Sequence, residues 1–137
     1  MRKLALAIAA STVLLSGCAT ASGKPRLTPQ ERLDKMLVGR VAGKPVNCIS
    51  TFDSRDMTVL DKTAIVFRSG STLYVNRPQN ADQLDSDDIL VTKTFGSQLC
   101  RLDIVKTVDR VGRFENGFIN LGDFVPYRKP SKTKSAD

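Results

Sequence analysis

Residues 4–15 set the first limit on what this chain can fold into. They are twelve consecutive positions, Leu4 to Leu15, of Leu, Ala, Ile and Val, broken only by Ser11 and Thr12. A helix that packs on a globular core shows polar positions every three or four residues, and this run has no such spacing. As a helix it would be about 18 Å long, short of the roughly 30 Å hydrocarbon layer of a bilayer. With Arg2 and Lys3 in front of it, it has the length and flank of a secretory h-region. What remains to fold is about 100 residues, the size of one domain.

Leu15-Ser16-Gly17-Cys18 follows the run and resembles a bacterial lipobox. Small residues before the cut let a peptidase grip the backbone, and a thiol at the cut accepts diacylglycerol through a thioether. The competing reading is an ordinary signal peptide in which Cys18 is incidental. In the lipoprotein reading Cys18 starts the mature chain and its amine is acylated too. Three acyl chains exceed the two-anchor threshold for stable attachment, so membrane lipid, reached through Cys18, is the first expected partner. Ala19 stands next, where many Gram-negative lipoproteins retained on the inner membrane carry Asp. The resemblance therefore implies an outer-membrane anchor with the domain facing the periplasm. The chain divides into a signal peptide (1–17), a lipidated flexible tether (18–27), one globular domain (28–129) and a disordered basic tail (130–137).

The whole chain has 21 Lys+Arg against 14 Asp+Glu, but the excess sits at the ends. Thr28 to Lys129 holds 15 basic and 13 acidic residues, so the body is nearly neutral. No basic stripe with interleaved aromatics exists, and nucleic acid is not an expected partner. Lys24, Arg26, Lys132 and Lys134 in the tether and tail could touch anionic lipid or polysaccharide, or simply keep the ends solvated.

Within the body, Thr28-Pro29-Gln30-Glu31 reads as a helix start, with Thr28 as cap, Pro29 at the first helical position and Glu31 completing a capping box. Leu33, Met36 and Leu37 share one face, which predicts a helix over 29–37 ended by Gly39 and Gly43-Lys44-Pro45. Strands are predicted at 57–60, 63–68, 73–76, 89–95 and 102–110, then at 118–121 and 124–125, from β-branched and aromatic runs separated by turn residues. Ser69-Gly70-Ser71 reads as a hairpin turn. The threefold spacing of Leu99, Leu102, Val105, Val108 and Val111 suits a helix almost as well, but Ile104, Val105, Thr107 and Val108 are β-branched and favour a strand. The fold class that follows is mainly β, a small antiparallel barrel or roll with one short N-terminal helix.

If lipid consumes Cys18, Cys48 and Cys100 are the two remaining thiols. In an oxidising compartment they can pair, and the connectivity within the chain then has one answer. Free buried thiols, an intermolecular bridge and a two-cysteine metal site stand as alternatives. The metal site is the weakest of these, because the chain has no histidine to complete a ligand set.

The absence of histidine also excludes triads with a histidine base. Asp82, Asp85, Asp87 and Asp88 cluster, but a calcium loop counted from Asp85 would place Leu90 where it needs Gly and Gly96 where it needs Glu. Ser69 and Ser71 flank Gly70 without forming a nucleophile elbow. Glu31 and Glu115, the only glutamates, suggest no carboxylate pair in a cleft. No catalytic, metal-binding or cofactor-binding residue is expected, and no cofactor. Phe52, Phe67, Tyr74, Phe114, Phe118, Phe124 and Tyr127 read as core, and Arg101 with Asp103 as a local ion pair.

One resemblance gathers these residues. Cys48-Ile49, Arg55-Asp56, Val59 through Phe67, Gly70, Tyr74 and Asn76-Arg77 are followed by Gln98-Leu99-Cys100-x-x-Asp103-Ile104. Leu121-Gly122-x-Phe124-x-Pro126-Tyr127 closes the series. Over residues 46–128 this resembles a family of small, uncharacterised proteobacterial envelope proteins defined only as a domain of unknown function. Many members carry four cysteines in the domain, and the other two positions match Ala81 and Ile119 here. The resemblance implies no activity. The expectation is a non-enzymatic envelope lipoprotein that binds or supports an envelope protein or polysaccharide. The alternative is a small-ligand binder or an inhibitor of an envelope-acting enzyme, with Ser69 to Tyr74 as the loop that would enter a cleft.

Overall fold

The computed structural model describes residues 25–94 and 96–130. The first element is helix α1, Pro29–Leu37. Ten strands follow: β1 (Val41–Ala42), β2 (Cys48–Ser50), β3 (Met57–Leu60), β4 (Ala64–Ser69), β5 (Thr72–Asn76), β6 (Ile89–Thr92), β7 (Gln98–Cys100), β8 (Ile104–Val108), β9 (Glu115–Asn120) and β10 (Phe124–Arg128), with a 3-10 turn at Ala81–Gln83 before β6. The fold is mainly β with one short helix, as the sequence predicts. The barrel form of that expectation does not hold, because the strands fall into three antiparallel sheets that do not close on one another. Their orders are β1-β10-β5-β4-β3, β2-β7 and β6-β8-β9.

The helix forms where its caps put it. The Thr28 hydroxyl accepts from the Glu31 amide at 3.2 Å, and the Thr28 amide donates back to the Glu31 carboxylate at 2.7 Å. Gly39 then turns the chain with φ +70°, a region open to glycine at no steric cost. The hairpin β4–β5 closes on two residues, Gly70 and Ser71, between the partners Ser69 and Thr72, and Gly70 takes φ +53°.

Strand β4 explains the layering. Ala64, Ile65, Val66 and Phe67 are all buried, so the large sheet must be covered on both faces. On one face Leu60, Ala64, Val66, Leu73 and Val75 pack against Leu33 of α1, flanked by Met36 and Leu37. Burying a leucine side chain contributes about 2 kcal/mol, which a nine-residue helix needs because it is marginal alone. On the other face Ile65, Phe67 and Phe124 meet Ile49 and Leu99 from the β2–β7 ribbon and Val105 and Ile119 from the β6-β8-β9 sheet. The rings of Phe67 and Phe124 lie 5.6 Å apart at 57°.

Two sequence expectations need correction. The strand expected over 89–95 ends at Thr92, and the one expected over 102–110 spans Ile104–Val108. Of the seven aromatics read as core, Phe52, Phe114 and Phe118 are exposed. Outward-facing strand and loop positions decide this, not residue type. The predicted signal peptide, Cys18 and most of the tether and tail lie outside the described residues.

The capping box makes the helix start pH-sensitive. The Thr28 amide, then the Thr28 hydroxyl, hold the Glu31 carboxyl below its usual 4.5. A lowered folded-state value means the contribution is fully present above the unfolded value and is lost as pH falls through the folded one. The protection of the first-turn amides of α1, measured as exchange relative to the unfolded chain at the same pH, should therefore hold from neutral pH down to about 4.5 and fall only below it, with Glu31→Gln removing the transition.

Candidate functional site

The described residues that the sequence offers as chemistry are held in local structure. Among the described residues, no group of three His, Cys, Asp or Glu side chains is placed to hold a metal ion. In the acidic loop Asp85 accepts from the Asp87 amide at 2.8 Å, and Asp88 accepts from the side chain of Asn116 in β9 at 2.9 Å. The Ser69 hydroxyl donates to Asp53 at 2.6 Å. Glu31 sits in α1 and Glu115 in β9, where it pairs with Lys106 at 2.7 Å. Ser69 to Tyr74 is a tight hairpin within the large sheet, not a protruding loop.

What the fold does build is a joint around Cys48 and Cys100. The two cysteines are direct register partners in the β2–β7 ribbon and form a disulfide, with Cα atoms 4.0 Å apart. The Arg101 amide donates to the Asn47 carbonyl and the Thr51 amide to the Ser97 carbonyl. Hydrogen-bonded and non-hydrogen-bonded pairs alternate along an antiparallel ribbon, so the 48/100 pair falls at a non-hydrogen-bonded position, where the strands approach most closely. Alternation along each strand then turns Ile49 and Leu99 into the core and the disulfide to the opposite face. The sequence could show that two thiols remained, but not that they would face each other.

Hydrogen bonds continue the joint on both sides. Asp103 accepts from the Cys100 amide at 2.7 Å and closes the turn that leads from β7 to β8. In that turn Leu102 takes φ +69°, and its amide donates to the Leu121 carbonyl at 2.9 Å. Arg101 pairs with Asp123 at 3.3 Å, so the Arg101–Asp103 pair expected from the sequence is not formed. Both side chains of the observed pair are about half exposed, and its contribution is at most ~1 kcal/mol.

Asn76, fully buried in β5, binds the next segment from both ends of its amide. Its Nδ2 donates to the Gly122 carbonyl at 2.7 Å, and its Oδ1 accepts from the Gly122 amide at 3.0 Å. A Cβ at residue 122 would collide with the Arg77 carbonyl, so this close approach requires glycine. Leu99, Cys100, Asp103, Leu121, Gly122 and Phe124, prominent in the segments that carried the family resemblance, thus meet in one place.

Beside the joint, on the outer side of β6 and β8, lies an open groove of about 740 Å³ lined by Val91, Lys93, Leu102, Ile104, Lys106 and Glu115, among others. No described helix is long and apolar enough to cross a membrane. No protein-family model, curated protein or solved structure matches the chain.

The disulfide constrains a separation of 52 residues. In the chain-entropy account a loop of that size stabilises the fold by about 4 kcal/mol. That is close to the whole margin of a small domain, about 5 kcal/mol or more. Cys48→Ala/Cys100→Ala should lower the unfolding free energy read from a urea titration by about 4 kcal/mol. Alkylation of the unfolded, unreduced wild type should leave Cys48 and Cys100 unmodified.

Proposed function

We propose that this chain is a non-enzymatic lipoprotein of the Gram-negative envelope. In this reading it is anchored in the outer membrane through acylated Cys18, and its domain binds or supports an envelope partner, protein or polysaccharide. The observation that carries the reading is the Leu15-Ser16-Gly17-Cys18 motif behind an apolar run too short to span a bilayer. The disulfide supports it, because such bonds persist in exported compartments and are rare in the cytosol. The nearly neutral body fits a partner recognised by shape and apolar contact more than by net charge. Membership of the uncharacterised proteobacterial envelope family is part of the same proposal. The alternative, a small-ligand binder or enzyme inhibitor, rests on the groove beside β8, whose volume is in the range of small-molecule sites. The tight Ser69–Tyr74 hairpin gives the inhibitor form no support.

Cys18→Ser should abolish incorporation of labelled fatty acid and leave an uncleaved precursor, while the wild type fractionates with the outer membrane. A mature chain that begins elsewhere with a free amine would refute the anchor, and recovery with the inner membrane would refute the sorting.

The family reading has its own check. Asn80 donates to the Phe118 carbonyl and accepts from the Asn120 amide, which holds the 3-10 turn against β9, and Ala81 packs against the core cluster that contains Ile119. The double variant Ala81→Cys/Ile119→Cys should form a second disulfide, seen as four body cysteines that resist alkylation until reduction. Free thiols at 81 and 119 in the folded protein would count against the correspondence.

A further inference from the structure

The β6-β8-β9 sheet carries large apolar side chains on both faces. Residues opposite one another in register share a face. Leu90, Val105 and Ile119 point into the core, and the outward rows are Val91–Lys106–Phe118 and Ile104–Asn120. Val91, Ile104 and Phe118 are 43%, 58% and 50% exposed, and Leu102 in the turn before β8 is 59% exposed. An antiparallel sheet with one face on a core and the other in water reads as alternating apolar and polar residues. This sheet does not, and its outer face has the composition of a face that becomes covered.

The charges on that face identify the cover. Lys93 and Lys106 stand with Asp103 and Glu115 around the groove, two cations and two anions with no net sign. Lys106, in the middle of the apolar row, has its charge matched by Glu115, its ammonium lying 2.7 and 2.9 Å from the two carboxylate oxygens. A partner selected by steering would favour a face of one sign. A face that carries both signs in equal number is complementary to itself under a two-fold axis, where residue i meets j and j meets i.

We infer that the outer face of β6-β8-β9 is a self-association surface, on which a second copy of this chain packs sheet against sheet with Lys106 of each copy near Glu115 of the other. Three strands at about 4.8 Å spacing and roughly four residues each cover on the order of 200 Å² of flat face. A stable dimer buries about 800 Å² per partner. The association is therefore weak in solution and builds with local concentration, as it would for chains confined to one surface. The inference does not depend on lipidation at Cys18, so either can fail without the other.

Sedimentation equilibrium of the full-length chain in mild detergent should show a monomer–dimer equilibrium that shifts to dimer with concentration. The Cys18→Ser chain should behave the same way. Ile104→Lys should give monomer at every concentration, while Ile104→Val keeps the dimer; the position is exposed, and circular dichroism with the alkylation assay verifies the fold. The decisive arm mixes two chains. Lys106→Glu and Glu115→Lys should each be monomeric alone and should form a one-to-one dimer together. A wild type that stays monomeric throughout, or charge variants that dimerise alone as well as the wild type does, would overturn the inference. So would a photo-crosslinker at position 91 that traps, in cells, only adducts of a mass other than twice the chain.

Discussion

Everything in this fold is arranged to cover strand β4 on both sides. Four consecutive buried residues, Ala64 to Phe67, leave no face of the large sheet free for water. A single helix suffices for the smaller side, where Ala64 and Val66 leave room for Leu33. The other side carries Ile65, Phe67 and Phe124, too much apolar surface for a nine-residue helix. Two further sheets close over it. The price of this solution is that the covering sheets are small and hydrogen-bond poorly to the central one.

That weakness explains where the specific bonds are placed. The β2–β7 ribbon has three registered residue pairs, and a two-stranded ribbon is marginal in water. The disulfide fixes it, and the buried Asn76 amide ties the 121–123 segment to β5. Asp103 and Leu121 then connect the ribbon to β8. These bonds serve architecture. The polar groups that the sequence offers as chemistry are in turns, in half-exposed ion pairs or in this joint. This arrangement is in keeping with the proposed role as an anchored partner-binding module.

Much of the fold was legible in local pattern. The capping box at Thr28 and Glu31, the leucine and methionine stripe of α1, and the hairpin around Gly70 depend on residues within a few positions of each other, and all form as expected. The β-branched run at 104–108 correctly outweighed the threefold leucine and valine spacing. The short strands β1, β2 and β7 were less legible, since two or three residues carry too little periodicity to register. Arg101 shows the same limit: its neighbour Asp103 is occupied by the Cys100 amide, and its partner Asp123 arrives from 22 residues away.

The sequence alone determined the pieces. It marked an apolar run without the polar spacing of a core helix, two body thiols with one possible pairing between them, a nearly neutral body without histidine, and the helix and hairpins that local propensity fixes. Tertiary structure decided which face each strand turns to the core. A strand's two sets of side chains are separated only by its register against a neighbour, and that register is set by distant residues. Hence Phe118 of β9 is half exposed while Phe124 of β10 is buried. Cys48 meets Cys100 because Ile49 and Leu99 must both turn inward. The outer face of β6-β8-β9 emerges as an apolar surface only once Val91, Lys106 and Phe118 are brought into one row.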